Sequence, residues 1–465
     1  MVKFSNKKPP GLRVFKPQPK KIKTGEFDFT IEKLSEDGRG VARPAGKATF
    51  VCGALPGEQV KGRYLAHHRQ YDEAELVTVV SASEQRAKPS CEHYQDCGGC
   101  TLQHLDYLAQ VGFKQQRLQA LFHTLSERQP EPIRWANDIT ASPLHYRHRL
   151  RLAVKANKHA VKIGFRRFNS HEIIDINDCS VAQPALNQLL KGLKSCLIAL
   201  KTRSAIEEIR LLEDGEGKLA VQLLVKSALI DEDYQRLKDF KRRENLRYFA
   251  VSAAKPVATK PFWFDGEALN SFQLAQPECT IGFEIEDFTQ INPEINQMMI
   301  STALQWLALT KEDMVADFFC GVGNFSVPLA ASGAAVVAYE VVDAMVEKGR
   351  DNALRNQLSN LTFKRQDLFQ SLPKKIFSHN QHKITKALLD PPRAGAKALA
   401  EQLANEQLTK LLYISCNPQT LLRDAEILQQ GGFNISQAAM IDMFPQTTHI
   451  ETIMLFEKNS REVQS

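Results

Sequence analysis

The sequence predicts a doubly wound α/β domain with an antiparallel last strand, preceded by a small OB-like β-barrel and a mixed α/β region. Three observations predict it. From residue 292 onward, short apolar strands at 314–319, 335–339, 387–389 and 411–414 alternate with helical segments, the pattern of a parallel sheet covered on both faces. At the end, two strand-like runs, 433–443 and 450–456, follow one another without a helix between them, so the second must return antiparallel to the first. Near the start, residues 27–83 hold short strands separated by close turns, the spacing of a small barrel. A chain of 465 residues has room for roughly two to four domains. The boundaries are placed at 1–23 for a basic tail, 24–84 for the barrel, 85–288 for the central region and 289–465 for the doubly wound domain.

Composition narrows the class. The formal net charge is +7, a moderate basic excess that favours a polyanionic partner. There are nine cysteines, an odd count, and three of them fall within residues 91–100. A secreted disulfide framework would be even and dispersed. The first residues, MVKFSNKKPPGLRVFK, have no apolar core of the kind a signal peptide needs. No apolar run approaches membrane-spanning length. A cytoplasmic protein with no membrane partner is expected, acting as a monomer.

The elements follow in order. Residues 1–23 carry eight Lys/Arg residues and no acid. They read either as a solubilising tail or as an electrostatic arm for nucleic acid. In the barrel region Phe27, Phe29 and Ile31 alternate with polar residues, and DGRG at 37–40 is a turn. Strands follow at 48–51, 59–65 and 74–80. Arg63, His67, His68 and Arg69 cluster near one loop. Basic loops on a small barrel fit single-stranded nucleic acid. Through residues 29–42, F-x-I-E-K-L-S-x-D-G-R-G-V-A, the segment resembles a TRAM domain, which implies an RNA-binding barrel. Next comes CEHYQDCGGC at 91–100, a C-x5-C-x2-C cluster. A helix is expected over 107–127, packing on the doubly wound domain. Strands are expected near 149–155 and 160–166, and IIDINDC at 173–179 delivers a further thiol, Cys179.

The chemistry concentrates in the last domain. DFFCGVGN at 317–324 runs from a strand through two glycines into a helix. Glycines let backbone approach a ligand closely. The pattern is shorter than the dinucleotide fingerprint G-x-G-x-x-G. The next strand ends in Glu340, about 20 residues on, where an acid accepts from ribose hydroxyls. This stretch resembles the S-adenosylmethionine loop of class I methyltransferases. DPPRAG at 390–395 follows an apolar strand directly, which puts Asp390 at the same sheet edge. LLYISCNPQT at 411–420 places Cys416 just past a strand end. A buried cysteine is most often apolar filler. This one shares the carboxyl edge, where open α/β sheets bind ligands, with the glycine loop, Glu340 and Asp390. The start of the returning strand brings Glu451 to that edge too.

A thiol and a carboxylate beside a methyl donor fit one chemistry. Carbon 5 of uracil is a weak nucleophile. Thiolate addition at carbon 6 activates it, and a base must then remove the carbon-5 proton. The motifs FTQIN at 288–292, DFFCGVGNF, LDPPRAG, YISCNP and HIETI resemble those of the RNA uridine-C5 methyltransferase family, over nearly the whole chain. The resemblance implies that Cys416 is the nucleophile and Glu451 the base. It implies that Gln290, Phe319, Asn324, Glu340, Asp367 and Asp390 surround S-adenosylmethionine. From spacing alone Cys91, Cys97, Cys100 and Cys179 would suit zinc or an iron–sulfur cluster. The resemblance implies a 4Fe-4S cluster, and the cluster together with the TRAM segment implies 23S ribosomal RNA as partner. Alternatives are the same chemistry on another 23S uridine, on two uridines or on tRNA, a radical methylthiotransferase, or a non-catalytic RNA-binding protein. The radical enzymes need C-x3-C-x2-C, which this chain lacks, and Cys416, Glu451 and Asp390 all stand intact.

Overall fold

Alternating burial along the strands decides which side chains meet. In the computed structural model, which describes residues 24–157, 160–168, 170–254, 261–370, 373–379 and 382–458, the two compact units divide between Arg86 and Ala87. The basic arm expected over 1–23 lies outside the described residues. Among those described, no helix is long and apolar enough to cross a membrane.

The first unit is one six-stranded sheet. Its strands are β1 (Phe27–Thr30), β2 (Lys33–Leu34), β3 (Gly40–Ala42), β4 (Ala48–Cys52), β5 (Gln59–His67) and β6 (Tyr71–Ser81), in the order β1-β5-β6-β4-β3-β2. Val60, Gly62 and Tyr64 of β5 point inward while Lys61 and Arg63 stay exposed, and Val60 and Tyr64 pack with Phe29, Ile31, Val51 and Ala74. At Gly62 an added Cβ would lie 2.7 Å from the Glu75 carbonyl oxygen, so the strands cross too closely there for any side chain. Buried Glu58 is held by Arg86 through two side-chain bonds of 2.5 and 2.7 Å, which offsets its desolvation.

The second unit opens with α1 (Tyr107–Glu127) and β7 (Arg134–Trp135). A seven-stranded sheet follows, built from β8 (Arg149–Ala156), β9 (Val161–Arg166), β10 (Ile173–Asp175), β11 (Ile206–Glu213), β12 (Leu219–Val225), β13 (Tyr248–Ala253) and β14 (Trp263–Gly266), ordered β10-β9-β8-β11-β12-β13-β14. Helices α2 (Pro184–Ile198) and α3 (Asp231–Arg243) cover it through Leu186, Leu189, Leu193, Leu237 and Phe240. A hairpin, β15 (Asn270–Ala275) with β16 (Glu278–Phe283), leads to α4 (Pro293–Leu307).

Then come β17 (Met314–Phe318), α5 (Ser326–Ala331), β18 (Ala335–Glu340), α6 (Asp343–Arg355) and β19 (Leu361–Arg365). The short pair β20 (Ser378–His379) and β21 (His382–Lys383) precedes β22 (Lys386–Leu389), α7 (Lys397–Leu403), β23 (Lys410–Ser415), α8 (Pro418–Gln430), β24 (Phe433–Ile441) and β25 (Glu451–Lys458). The eight-stranded sheet runs β19-β18-β17-β22-β23-β25-β24-β7. Strands β17, β18, β19, β22 and β23 are mutually parallel, and β25 lies antiparallel to β23 and β24. Successive residues face opposite layers: Leu412 and Ile414 join one core with α4, while Leu411 and Tyr413 join the other with α8. The chain runs outward from β17 to β19, then crosses to β22 and β23. The crevice between the ends of β17 and β22 is the switch point where such sheets bind ligands.

Two features enlarge this sheet beyond the sequence reading. β19 adds a parallel edge strand, and β7 pairs in parallel with β24 as the eighth. Ahead of β7, Leu118, Phe122 and Leu125 of α1 pack with Leu421, Leu428 and Phe433. Residues from the segment before the central sheet therefore complete the C-terminal one.

Candidate active site

The glycine loop bends sharply at the end of β17. The N–H groups of Phe319 and Cys320 both donate to the Tyr339 carbonyl, at 3.0 and 3.1 Å. This forces Phe319 to φ 67°, with Gly321 at 55° and Gly323 at 101°. A left-handed non-glycine residue costs about 1–2 kcal/mol, and such strain collects where a site must be shaped. At Gly321 an added Cβ would meet no atom within 4 Å, so the loop leaves open space on that side. Gly321 N–H donates to Glu340 Oε2 at 3.2 Å, and Glu340 Oε1 accepts from Val341 and Val342 at 2.8 and 3.1 Å. Glu340 is thereby fixed at the end of β18. Asn324 exchanges two amide bonds with Asn296 of α4, at 2.9 and 3.0 Å. Asp317 is fully buried against the Ser326 hydroxyl. Burial first, then the neighbouring Asp390 and Glu340 charges, push its carboxyl up to about 7.

Asp367 lies past β19. It accepts from the Phe369 N–H at 3.0 Å and from Gln370 Nε2 at 2.8 Å, so both its oxygens are engaged by its own loop. The same loop sets the exposed Phe369 ring 5.5 Å from Phe319.

On the other side of the switch point, Gln290 Nε2 reaches Asp390 Oδ2 at 3.5 Å. The Gln290 carbonyl lies 3.0 Å from His148 Nε2 of the central region. Asn417 follows Cys416 and caps α8, accepting from Gln419 N–H at 3.2 Å. Its side chain donates to the Arg393 carbonyl at 3.0 Å, and Thr420 Oγ1 donates to the same carbonyl at 3.2 Å. The DPPRAG loop and the thiol turn are thus stitched together.

Register brings the last residue in. β23 and β25 pair antiparallel from Lys410 with Glu457 to Ser415 with Thr452. Cys416 directly follows Ser415, and Glu451 directly precedes Thr452. Glu451 is buried, and desolvation plus the Asp390 charge push its carboxyl up to about 8, opposed by Arg393. The Cys416 thiol is pushed up by burial, Glu451 and Asp390, again opposed by Arg393. Asp390 rises to about 7 through burial alone. Arg393 is therefore the cation that counters the acids at both groups. The sequence displays it inside DPPRAG, where its neighbours drew attention first. Asn296 and Phe369 carry no signal in sequence that separates them from ordinary helix and loop residues.

The four cysteines form a second cluster. Cys91, Cys97, Cys100 and Cys179 line one pocket with His93, Tyr94 and Arg147, and none is in a disulfide. Gly99 N–H donates to Cys97 Sγ at 3.4 Å. Asn187 clamps Cys179 by its N–H at 2.9 Å and its carbonyl at 3.1 Å. Burial and the neighbouring thiols raise Cys97, Cys100 and Cys179, with Cys100 pushed up to about 12, and Arg147 opposes this at all three. Among the described residues, no group of three or more His, Cys, Asp or Glu side chains stands arranged to hold a metal ion.

Comparison with known proteins places this arrangement. The family model described as tRNA (Uracil-5-)-methyltransferase matches residues 106–459. A protein of Marinomonas posidonica named 23S rRNA (uracil(1939)-C(5))-methyltransferase RlmD is 38% identical over 430 residues, covering 92% of this chain and 95% of its own. One of the same name from Mannheimia succiniciproducens is 39% identical over 449 residues, covering 95% and 98%. Among solved structures, the Pyrococcus abyssi tRNA (uracil-54, C5)-methyltransferase in complex with S-adenosyl-L-homocysteine superposes with a TM-score of 0.73 at 22% identity. That match covers 92% of this chain and 99% of the other, and it establishes the shared fold.

Proposed function

Since the chain belongs to the tRNA (Uracil-5-)-methyltransferase family, we propose that it transfers a methyl group from S-adenosylmethionine to carbon 5 of a uridine in 23S rRNA. The observation that carries this reading is that Cys416 directly follows, and Glu451 directly precedes, the last paired residues Ser415 and Thr452, with the Glu451 charge felt at the thiol. The Cys416 thiolate adds to carbon 6 of uracil, and the electron pair moves to carbon 5 and its enolate. Carbon 5 takes the methyl group from the sulfonium, leaving S-adenosylhomocysteine. Glu451 accepts the carbon-5 proton, the carbon 5–carbon 6 double bond re-forms, and the thiolate leaves. A stacked uracil exposes neither face, so the target is unpaired or flipped out.

The crevice suits a cationic methyl donor. Asp317, Glu340, Asp390 and Glu451 crowd acidic charge around it, and a bound sulfonium would relieve their repulsion. Gln290, Phe319, Asn324, Glu340 and Asp390 are assigned to that donor. Asp367 is assigned to it as well, once its loop bonds open. The names of the relatives support 23S rRNA as substrate and uracil 1939 as the first position to test.

The N-terminal sheet is assigned as a TRAM domain. Cys91, Cys97, Cys100 and Cys179 are assigned to a 4Fe-4S cluster, because they line one pocket and supply the four thiolates such a cluster takes. The cluster takes no part in the methyl transfer. Iron and sulfide analysis of anaerobically purified protein should give four of each per chain. Zinc in their place would overturn the assignment.

The experiment for the reaction pairs two variants on a 23S fragment, with a tRNA transcript as comparison. Glu451→Gln should methylate but release slowly, leaving protein bound to RNA in denaturing gels. Cys416→Ala should form no such adduct and no product. Full activity of Cys416→Ala would end this reading.

A further inference from the structure

The loop that delivers Glu451 is held from outside its own sheet. It spans residues 442–450, between β24 and β25. Gln446, at its tip, is buried and left-handed at φ 68°. Its carbonyl accepts from two consecutive N–H groups, Thr101 at 2.8 Å and Leu102 at 3.0 Å. These are the residues directly after Cys100, which lines the cysteine pocket. Its N–H donates to Gln110 Oε1 at 3.0 Å, and its Oε1 accepts from Gln110 Nε2 at 3.0 Å. Gln110, also buried, bonds onward to the Leu102 and Leu105 carbonyls at 3.1 and 2.8 Å. Just before the tip, Tyr146 donates to the Pro445 carbonyl at 3.2 Å, and Lys114 to the Phe444 carbonyl at 3.2 Å.

A loop built only to join two antiparallel strands needs a few residues and its own turn bonds. This one is clamped at its tip by a reciprocal amide pair in a dry setting, where each bond counts for more and each loss leaves an orphaned group. We propose that Gln446 is a positioning residue: it ties the Glu451 loop to α1 and to the Cys100 segment, and so sets where the base meets the carbon-5 proton. The inference rests on the covalent reading above. It deepens that reading in one respect. Thiol addition and methyl transfer depend on Cys416 and the cofactor crevice, which sit on β23 and the switch point. Proton removal and release depend on Glu451, at the end of the clamped loop. Loosening the clamp therefore affects the second half of the reaction more than the first.

The test is single-turnover kinetics on the full chain, following methyl transfer to RNA and decay of the denaturation-resistant adduct separately. Gln446→Ala should slow adduct decay by about 10- to 100-fold while methyl transfer changes by about threefold or less. Gln110→Met, which removes the amide partner without touching the loop, should split the two rates the same way. Gln446→Asn keeps a residue tolerant of the left-handed backbone and replaces the alanine variant should that one not fold; the same split is expected. Equal loss in both rates is the mark of a merely structural role and overturns the proposal, as do unchanged rates. If Glu451→Gln itself yields no adduct, the covalent reading fails. If it does and the Gln446 and Gln110 variants do not split the rates, only this inference fails.

Discussion

At the level of single residues, the raised carboxyls set the pH behaviour in two ways. The Cys416 thiol, above its ordinary value, must lose a proton before methyl transfer, and the Glu451 carboxyl, at about 8, must lose one before it can take the carbon-5 proton. The methyl-transfer rate should therefore climb as pH rises from about 7 to 9. A rate flat across that range would show that the bound cofactor resets the thiol. The same carboxyls govern stability with the opposite sign. Asp317 and Asp390, at about 7, and Glu451 hold protons more tightly folded than unfolded. Their contribution is complete below the unfolded range near pH 4 and is lost as pH rises through 7 and 8. Asp390→Asn should thus raise the cofactor-free melting temperature at pH 8 by a few degrees and change it little at pH 5. Glu340, Asp390, Cys416 and Glu451 were legible as sheet-edge residues because each adjoins an apolar strand. Arg393, Asn296 and Phe369 were not. A lone charge or ring in a loop, or a lone amide on a helix, has no period, and only the fold shows what it faces.

At the scale of elements, α1 shows where sequence stops informing. Its span, 107–127, can be read directly from the chain, and Asp106 caps it by accepting from Leu108 and Ala109. Its docking face is less readable, because two of the residues it buries are Gln110 and Lys114. Polar residues on a core face break the amphipathic pattern on which sequence reading relies. Lys114 is fully buried and bonds Asp442 Oδ1 at 2.6 Å. Removing one partner of such a pair leaves an uncompensated buried charge, so Lys114→Met should cost about 3–5 kcal/mol of unfolding free energy. Adding Asp442→Leu should restore most of it, since an apolar pair of similar volume avoids both desolvation costs. Denaturant unfolding of the two singles and the double closes the cycle; strictly additive losses would refute a direct coupling. β7 and β19 escaped notice for other reasons. β7 is two residues long, and β19 sits at a sheet edge where Thr362, Lys364 and Arg365 dilute its apolar run.

Over the whole molecule, charge is distributed in a way the fold does not reveal. The eight Lys/Arg residues within 1–23 outnumber the net +7 of the chain. Residues 24–465 are therefore close to neutral. We propose that long-range attraction to a polyanion resides in the first 23 residues, and shape and base recognition in the folded units. RNA affinity should carry this division. Each phosphate neutralised on a single strand adds about 0.7 to the slope of log affinity against log salt. Deleting 1–23 should lower that slope by up to about 6 and weaken binding most at low salt. It should leave the rate of methyl transfer at saturating RNA unchanged, because the arm supplies encounter and not chemistry. Deleting 1–86 removes the first compact unit as well. That second deletion should weaken binding further with little added change in slope, since Arg39, Lys47 and Arg63 of the sheet already pair with Glu73, Asp72 and Glu75. Titrations of full-length protein and both deletions over a salt series separate the two contributions. A slope unchanged by the first deletion would reduce the tail to a solubilising segment and shift the electrostatic work to paired side chains that must first exchange partners.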